Sequence, residues 1–219
     1  MQSENKKTKK LALLLFGISY GEYRHFWGRN MKIDYKISVE NYKTFIFEYF
    51  ENLGYEIDVF FATNEIDDDE KEKLLEIYKP VDYVFMEHNN DKRAGRNEKF
   101  RNVIDLCVKH KDNNYDHVLM TRFDLLFQKN FQESDIQFEK FNLVSILEKN
   151  HLICDNFYFF PVRMLDNFKE LCDFWDWRRF HDLKRKLEET LGIDLIHYIL
   201  NEHTYVNNLS FYKIVRTHI

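Results

Sequence analysis

Two opposite charges, Arg122 and Asp124, lie in an otherwise apolar stretch of the sequence. Residues 118–120 precede them and residues 125–127 follow, and charged side chains are rarely found among apolar residues unless they are paired or bind a ligand. Because side chains alternate along an extended chain, both charges should lie on the same side of the backbone. Two interpretations follow. Either the charges form an ion pair that only stabilises the fold, or they face a cleft together and bind a ligand.

The second interpretation gives each side chain a chemical role. The carboxylate of Asp124 offers the hard oxygen ligands that Mg²⁺ and Mn²⁺ prefer, and the planar guanidinium of Arg122 matches the oxygens of a phosphate group. Together the two side chains are suited to hold a diphosphate leaving group. In open α/β sheets, ligands bind beyond the carboxyl ends of the strands, so this interpretation requires the pair to lie at a strand end.

The first 125 residues alternate between predicted strands and helices, which places the pair at a strand end. Apolar runs bounded by turn residues predict strands at residues 11–16, 55–62, 81–86 and within 115–127. A polar loop follows the first strand, and helical spacing predicts helices at residues 38–53, 71–78 and 97–111, the first capped by Ser38. Shorter strands are expected at residues 143–147, 157–160 and 211–215. The predicted fold class is α/β, a three-layer α/β/α sandwich around a mainly parallel mixed sheet.

Bulk composition narrows the possible functions. A chain of 219 residues and 27.0 kDa suits one α/β domain, expected at residues 11–219 behind a basic tail at residues 1–10. The net charge of -5 argues against general nucleic-acid binding. Three widely spaced cysteines favour a reducing compartment, so we expect a cytoplasmic protein. No apolar run reaches the roughly 18 residues of a transmembrane segment.

The elements that lead into residues 115–127, with the sequence YDHVLMTRFDLLF, resemble the nucleotide-binding half of GT-A-type glycosyltransferases. In that family the strand carries Asp-x-Asp, and its carboxylates bind a divalent metal that bridges the diphosphate of a nucleotide sugar. This chain has Arg122-x-Asp124 instead, and an arginine at the first position can itself replace part of the cation's charge. The resemblance covers residues 11–161. It implies a nucleotide-binding half at residues 11–127 and an acceptor half at residues 128–219.

The resemblance also implies contacts with the nucleotide-sugar donor. In the family, the first loop contacts the base and ribose, and a basic residue before the motif strand often lies near the nucleotide. The donor-binding residues implied here are Gly17, Ser19, Arg24, Thr63, Arg96, Lys99, Arg122 and Asp124. Arg96 and Lys99 open the helix predicted before the motif strand, and a solvated helix face explains them equally well.

For the reaction itself, the resemblance implies an acceptor-side base and a metal. Asp155 is the candidate base, because a carboxylate within hydrogen-bond reach of the acceptor hydroxyl increases its nucleophilicity. A turn-forming role for Asp155 is the alternative. A late histidine often ligates the metal in the family, which implies His218 beside Asp124 as ligands of Mn²⁺ or Mg²⁺. With nine histidines in the chain, coincidence is the rival explanation for His218.

The function that the resemblance implies is transfer of a sugar from a nucleotide-diphosphate donor to a hydroxyl of a glycan or glycoprotein acceptor. The alternative is a non-catalytic protein that keeps the fold and binds a nucleotide or a glycan, which the departure from Asp-x-Asp makes credible. Neither function involves nucleic acid or a transmembrane segment.

Overall fold

The computed structural model describes residues 8–24, 30–87, 92–147, 152–174, 183–200 and 209–218, which alternate between strands and helices. The strands are β1 (Lys9–Phe16), β2 (Tyr20–Arg24), β3 (Asn30–Asp34), β4 (Tyr55–Asn64), β5 (Asp82–Met86), β6 (His117–Arg122), β7 (Leu125–Phe127), β8 (Phe141–Leu143), β9 (Ile146–Leu147), β10 (Leu152–Ile153), β11 (Phe157–Pro161), β12 (Ile196–Tyr198), β13 (Tyr212–Ile214) and β14 (Thr217–His218). The helices are α1 (Lys36–Tyr42), α2 (Tyr49–Asn52), α3 (Asp68–Tyr78), α4 (Lys92–Lys109), α5 (Leu165–Phe174) and α6 (Leu183–Leu191). A π-helical segment, Lys43–Glu48, joins α1 to α2.

β1 lies near the middle of a seven-stranded sheet with the order β12-β8-β11-β6-β1-β4-β5. It is parallel to β4 on one side and to β6 on the other. Its residues 11–16 are all buried, as expected for an apolar strand whose two faces are both covered. Only β11 runs antiparallel to its neighbours in this sheet. The predicted mixed, mainly parallel sheet is therefore confirmed.

Helices cover both faces of the sheet and give two separate cores. Leu13 belongs to the core that also contains Phe50 of α2 and Leu74 of α3. The next residue, Leu14, points to the opposite face and belongs to the core that contains Phe100 of α4. Because successive side chains of a strand alternate between faces, one apolar strand supplies both cores. This confirms the predicted three-layer α/β/α arrangement.

The main departure from prediction is a small second sheet where a polar loop was expected. β2, β3 and β14 form it in the order β14-β3-β2, with Thr217 paired to Lys32. These strands are partly exposed and include Gly21 and Lys32, so they carry no continuous apolar run. β3 does show the polar/apolar alternation of a half-buried strand over residues 30–34, with Met31 and Ile33 buried, so the expectation of a polar loop overlooked a local signal.

The prediction that Ser38 caps the first helix is wrong. α1 begins at Lys36, and Tyr35 occupies the N-cap position. The Ser38 hydroxyl lies 2.8 Å from the carbonyl oxygen of Tyr35 and 2.6 Å from that of Phe123, so its proton is shared between two buried acceptors. Ser38 thus ties α1 to the segment that follows β6.

Several element boundaries differ from those predicted. β1 begins at Lys9, so Lys9 and Lys10 belong to the sheet and not to the expected basic tail. Residues 1–7 of that tail lie outside the described residues. The two predicted halves share the main sheet, because β6 pairs with β11. Across the described ranges, no helix is both long enough and apolar enough to span a bilayer.

Replacing Ser38 by alanine is expected to lower the free energy of unfolding by about 1–2 kcal/mol, because buried carbonyl oxygens lose their donor. Ser134 provides a matched control, since its hydroxyl also donates to a carbonyl oxygen, that of Asn130, but in an exposed position. Ser134→Ala should change the same free energy by at most about 0.5 kcal/mol. Urea unfolding of both variants measures the difference. If Ser38→Ala and Ser134→Ala lower the free energy of unfolding equally, the tertiary role of Ser38 is contradicted.

Candidate functional site

The loop after β1 is fastened to the end of β4. Gly17 has φ of +103°, a backbone conformation that favours glycine, and its N–H donates to the carbonyl oxygen of Ala62 at 3.2 Å. The main-chain N–H of Ser19 donates to the Thr63 hydroxyl at 3.0 Å, and the two hydroxyl oxygens are 2.9 Å apart. Two predicted donor-binding residues, Ser19 and Thr63, are therefore fully buried and hydrogen-bonded to each other.

A cleft of about 320 Å³ opens beyond this loop, at the carboxyl ends of β1 and β4. It is lined by residues 18, 20–23 and 64–67. The lining combines the tyrosines at positions 20 and 23 with the polar side chains of Asn64, Glu65 and Asp67. In open α/β sheets this edge is where ligands bind.

Arg122 and Asp124 pair directly at the end of β6. Arg122 Nε lies 2.6 Å from Asp124 Oδ1, and Arg122 Nη2 lies 2.8 Å from Oδ2. A second arginine, Arg216, donates from Nε to the same Oδ2 at 2.8 Å. The Asp124 carboxylate thus accepts three charge-assisted hydrogen bonds from two guanidiniums, and such bonds are the stronger ones in proteins.

The charges of this cluster are fixed over the physiological pH range. Burial raises the pKa of Asp124, but the nearby Arg122 and Arg216 outweigh it and lower that pKa to about 2. For Arg122, burial lowers the pKa, and the Asp124 charge reverses the effect and holds it above its ordinary value. Asp124 is therefore ionised and Arg122 is positively charged.

Arg216 reaches Asp124 because the last strands return to the end of β6. β13 pairs antiparallel with β7, and the N–H of Val215 donates to the carbonyl oxygen of Asp124 at 2.8 Å. Sequence reasoning missed Arg216. Its local cue is weak, because Arg216 follows only two apolar residues and nothing in the nearby sequence links it to residue 124.

A second ion pair joins two predicted site residues. Arg96 Nη1 lies 2.9 Å from Asp155 Oδ2, so the implied donor contact and the candidate base are neighbours. α4 begins at Lys92, so Arg96 and Lys99 lie in its second and third turns, and the prediction that they open the helix is wrong. Lys99 is buried, with Nζ 3.3 Å from the carbonyl oxygen of Gly95, and burial lowers its pKa.

Two further predicted residues are placed only by their backbone. Arg24 ends β2, and His218 lies in β14 opposite Met31 of β3. Their side chains lie outside the described residues. The implied roles of Arg24 in donor binding and of His218 in metal binding therefore stay predictions.

The donor set around Asp124 suits an anion better than a divalent cation. Three N–H groups of two guanidiniums already occupy the carboxylate oxygens that Mg²⁺ or Mn²⁺ needs. Among the described residues, no group of three or more histidine, cysteine, aspartate or glutamate side chains is arranged to hold a metal ion. The Mn²⁺ or Mg²⁺ implied by the resemblance therefore does not fit the described side chains around Asp124.

No protein-family model and no curated protein sequence matches this chain. Solved structures that resemble it include a glycosyltransferase involved in the glycosylation of the major capsid of PBCV-1, with 12% identity, a TM-score of 0.46 and coverage of 87% of this chain and 81% of that one. A second carries the provisional name of nucleotide-diphospho-sugar transferase from Desulfovibrio desulfuricans G20. It has 11% identity, a TM-score of 0.44 and coverage of 83% and 76%. These likenesses concern the general architecture alone.

Replacing Asp124 by asparagine is expected to lower the free energy of unfolding at pH 7 by about 2 kcal/mol, because the lowered pKa of Asp124 is a stability contribution. A carboxyl with a lowered folded-state pKa stabilises the fold above its unfolded pKa and loses that contribution as the pH falls through the folded value. The difference between wild type and variant should thus be constant above about pH 5 and shrink towards pH 2.

Urea unfolding at a series of pH values measures this difference. Asp173→Asn is the matched control, because Asp173 pairs with Lys169 in an exposed position. That variant should differ from wild type by less than about 1 kcal/mol at every pH. If Asp124→Asn lowers the free energy of unfolding by the same amount at pH 7 and at pH 2, the stabilisation does not come from the charge of Asp124.

Proposed function

We propose that the protein is a glycosyltransferase that moves a sugar from a nucleotide-diphosphate donor to a hydroxyl of a glycan or glycoprotein acceptor. The observation that carries this proposal is the position of the cleft beside the arginine cluster. Both lie at the carboxyl ends of the parallel strands β1, β4 and β6, where α/β proteins bind ligands. A nucleotide sugar needs a pocket for its nucleoside and positive charge for its diphosphate, and this edge offers both.

Tyr23 connects the two parts of the proposed donor site. Its side chain lines the cleft. Burial raises the pKa of Tyr23, while the charges of Arg216 and Arg122 act on the same hydroxyl and lower it, so the arginines lie close by. A nucleoside bound in the cleft would direct its phosphates past Tyr23 towards the guanidiniums.

The cleft offers contacts that suit a nucleoside. The side chains of Asn64, Glu65 and Asp67 supply hydrogen-bond acceptors for ribose hydroxyls and for the N–H groups of a base. Tyr20 and Tyr23 supply aromatic surface against which a base can pack. Clefts of a few hundred cubic ångströms are typical of small-molecule sites, and this one is within that range.

The chemistry of the proposed transfer depends mainly on electrostatics. Negative charge develops on the diphosphate as its bond to the sugar opens, and fixed positive groups stabilise that charge without having to reorganise. Asp124 holds Arg122 and Arg216 in place for this role. Asp155 remains the candidate base for the acceptor hydroxyl. Its carboxylate would accept the proton of that hydroxyl while one of its oxygens pairs with Arg96.

A non-catalytic nucleotide-binding or glycan-binding protein is the second candidate. Two observations favour it: arginine stands where the resembled family has the first aspartate, and Asp155 is already paired with Arg96. Both candidates predict nucleotide binding, so turnover of the donor separates them.

Thermal unfolding with UDP, GDP, ADP and CDP tests nucleotide binding. We expect one of them to raise the Tm, because a ligand that binds only the folded state stabilises it, by about 2.7 kcal/mol at one hundred times its Kd. The matching nucleoside without phosphates should give a smaller rise at equal concentration. If none of the four raises the Tm of protein with a folded circular dichroism spectrum, the proposed function is wrong.

Turnover is tested by the release of nucleoside diphosphate from the nucleotide sugars of the base that binds, with simple glycosides or water as acceptor. Asp155→Asn should lower this rate about 100-fold if Asp155 is the base, with little change in donor affinity. Asp173→Asn again serves as the control and should keep the wild-type rate. Donor binding without any release by the wild type would favour the non-catalytic candidate.

A further inference from the structure

We propose that Arg216 is a diphosphate-binding residue and that, together with Arg122, it binds the donor's diphosphate without a divalent cation. This inference rests on the proposed function for the identity of the ligand. The anion site itself depends only on the geometry around Asp124.

The arginine side chains of these ion pairs are more exposed than the carboxylates with which they pair. The side chain of Asp124 is 1% exposed, against 11% for Arg122 and 15% for Arg216. The second pair repeats this order, with Asp155 at 4% and Arg96 at 28%. A ligand that approaches from solvent therefore meets guanidinium groups first, which favours an anion and disfavours a metal ion.

The charge balance of the cluster points the same way. Among the described side chains, the two guanidiniums of Arg122 and Arg216 are paired with the single carboxylate of Asp124, so positive charge is in excess. A divalent cation at Asp124 would lie close to two fixed positive groups and would have to displace their hydrogen bonds. A bound diphosphate would instead neutralise the excess positive charge. Its attraction to the arginines is stronger than in water because the site is partly buried.

Both arginines keep donor groups for a ligand. Arg122 uses Nε and Nη2 for Asp124, and Arg216 uses only Nε. Within the described parts of the chain, neither Arg122 Nη1 nor the two Nη groups of Arg216 have a hydrogen-bond partner. Guanidinium N–H groups that are held in a fixed orientation match phosphate oxygens well.

The end of β6 is held firmly, so the guanidiniums have a rigid base. The Tyr42 hydroxyl donates to the main-chain oxygen of Arg122, and the N–H of Val215 donates to that of Asp124. These bonds fix the backbone of both segments that carry the arginines. Asp124 is thus a positioning residue in this proposal, whereas Arg122 and Arg216 contact the ligand.

The decisive experiment is calorimetric titration of the wild-type protein with pyrophosphate and with each of UDP, GDP, ADP and CDP, first in EDTA and then with Mg²⁺ or Mn²⁺. We expect pyrophosphate and one nucleotide to bind in EDTA, with affinities that change less than about threefold when the cation is added. Binding that requires the cation would overturn the inference.

Variants identify the residue responsible. Arg216→Gln should weaken binding in EDTA about tenfold or more, as expected for the loss of charged hydrogen bonds. Arg216→Lys should lie between this variant and wild type, because lysine keeps the charge without the planar fork. Arg163→Gln is the matched control, since Arg163 pairs with the exposed Glu139 and lies near the opposite end of β6. Wild-type affinity in Arg216→Gln would contradict the assignment.

The outcomes separate this inference from the proposed function. If pyrophosphate binds in EDTA through Arg216 but no nucleotide binds, the anion site stands and the nucleotide-sugar function fails. If a nucleotide binds only with Mg²⁺ or Mn²⁺, the nucleotide site stands and cation-free binding fails. The wild-type comparison between EDTA and cation needs no variant, so it holds even if Arg216→Gln folds poorly.

Discussion

The interaction on which the site depends is the buried carboxylate of Asp124 between the guanidiniums of Arg122 and Arg216. It joins the end of β6 to a segment 92 residues further along the chain, and it is reinforced by the main-chain bond between Val215 and Asp124. Removing one member of a buried charge cluster leaves the others without compensation, which is strongly destabilising in proteins. The same contacts therefore hold the C-terminal strands in place and set the orientation of the positive groups at the sheet edge.

A cluster of this kind is not the most stable way to fill a protein interior. Burying charges costs solvation free energy, and well-packed apolar residues of similar volume often stabilise a fold as well or better. Apolar residues, however, could not place positive charge at this edge of the sheet. In this cluster the arginine side chains are partly accessible beside the cleft, whereas the carboxylate that holds them is buried. In this account, the charges of Arg122 and Arg216 that stabilise the fold also bind the donor's diphosphate.

The parts of the fold that were predicted from the sequence are those with strong local signals. The apolar run of β1 and the charged pair at Arg122 and Asp124 within apolar flanks both identify elements of the central sheet. The second arginine was missed, because nothing local links residue 216 to residue 124. Ser38 was misassigned as a helix cap because a serine before a helical pattern is a local cue, whereas its bond to Phe123 is a tertiary contact. The hairpin of β2 and β3 has no continuous apolar run, and its local signal is the short polar/apolar alternation at residues 30–34.

The proposed site requires that the Asp124 carboxylate orients arginines that bind an anion and does not bind a metal. A crystal structure of the protein grown with the preferred nucleoside diphosphate and Mn²⁺, with anomalous diffraction recorded at the manganese edge, tests it most directly. The account predicts phosphate oxygens within hydrogen-bond distance of Arg122 and Arg216, with both guanidiniums still on Asp124 and no anomalous peak beside that carboxylate. A manganese peak at the distance of a carboxylate ligand from Asp124, with Arg216 displaced, would contradict it.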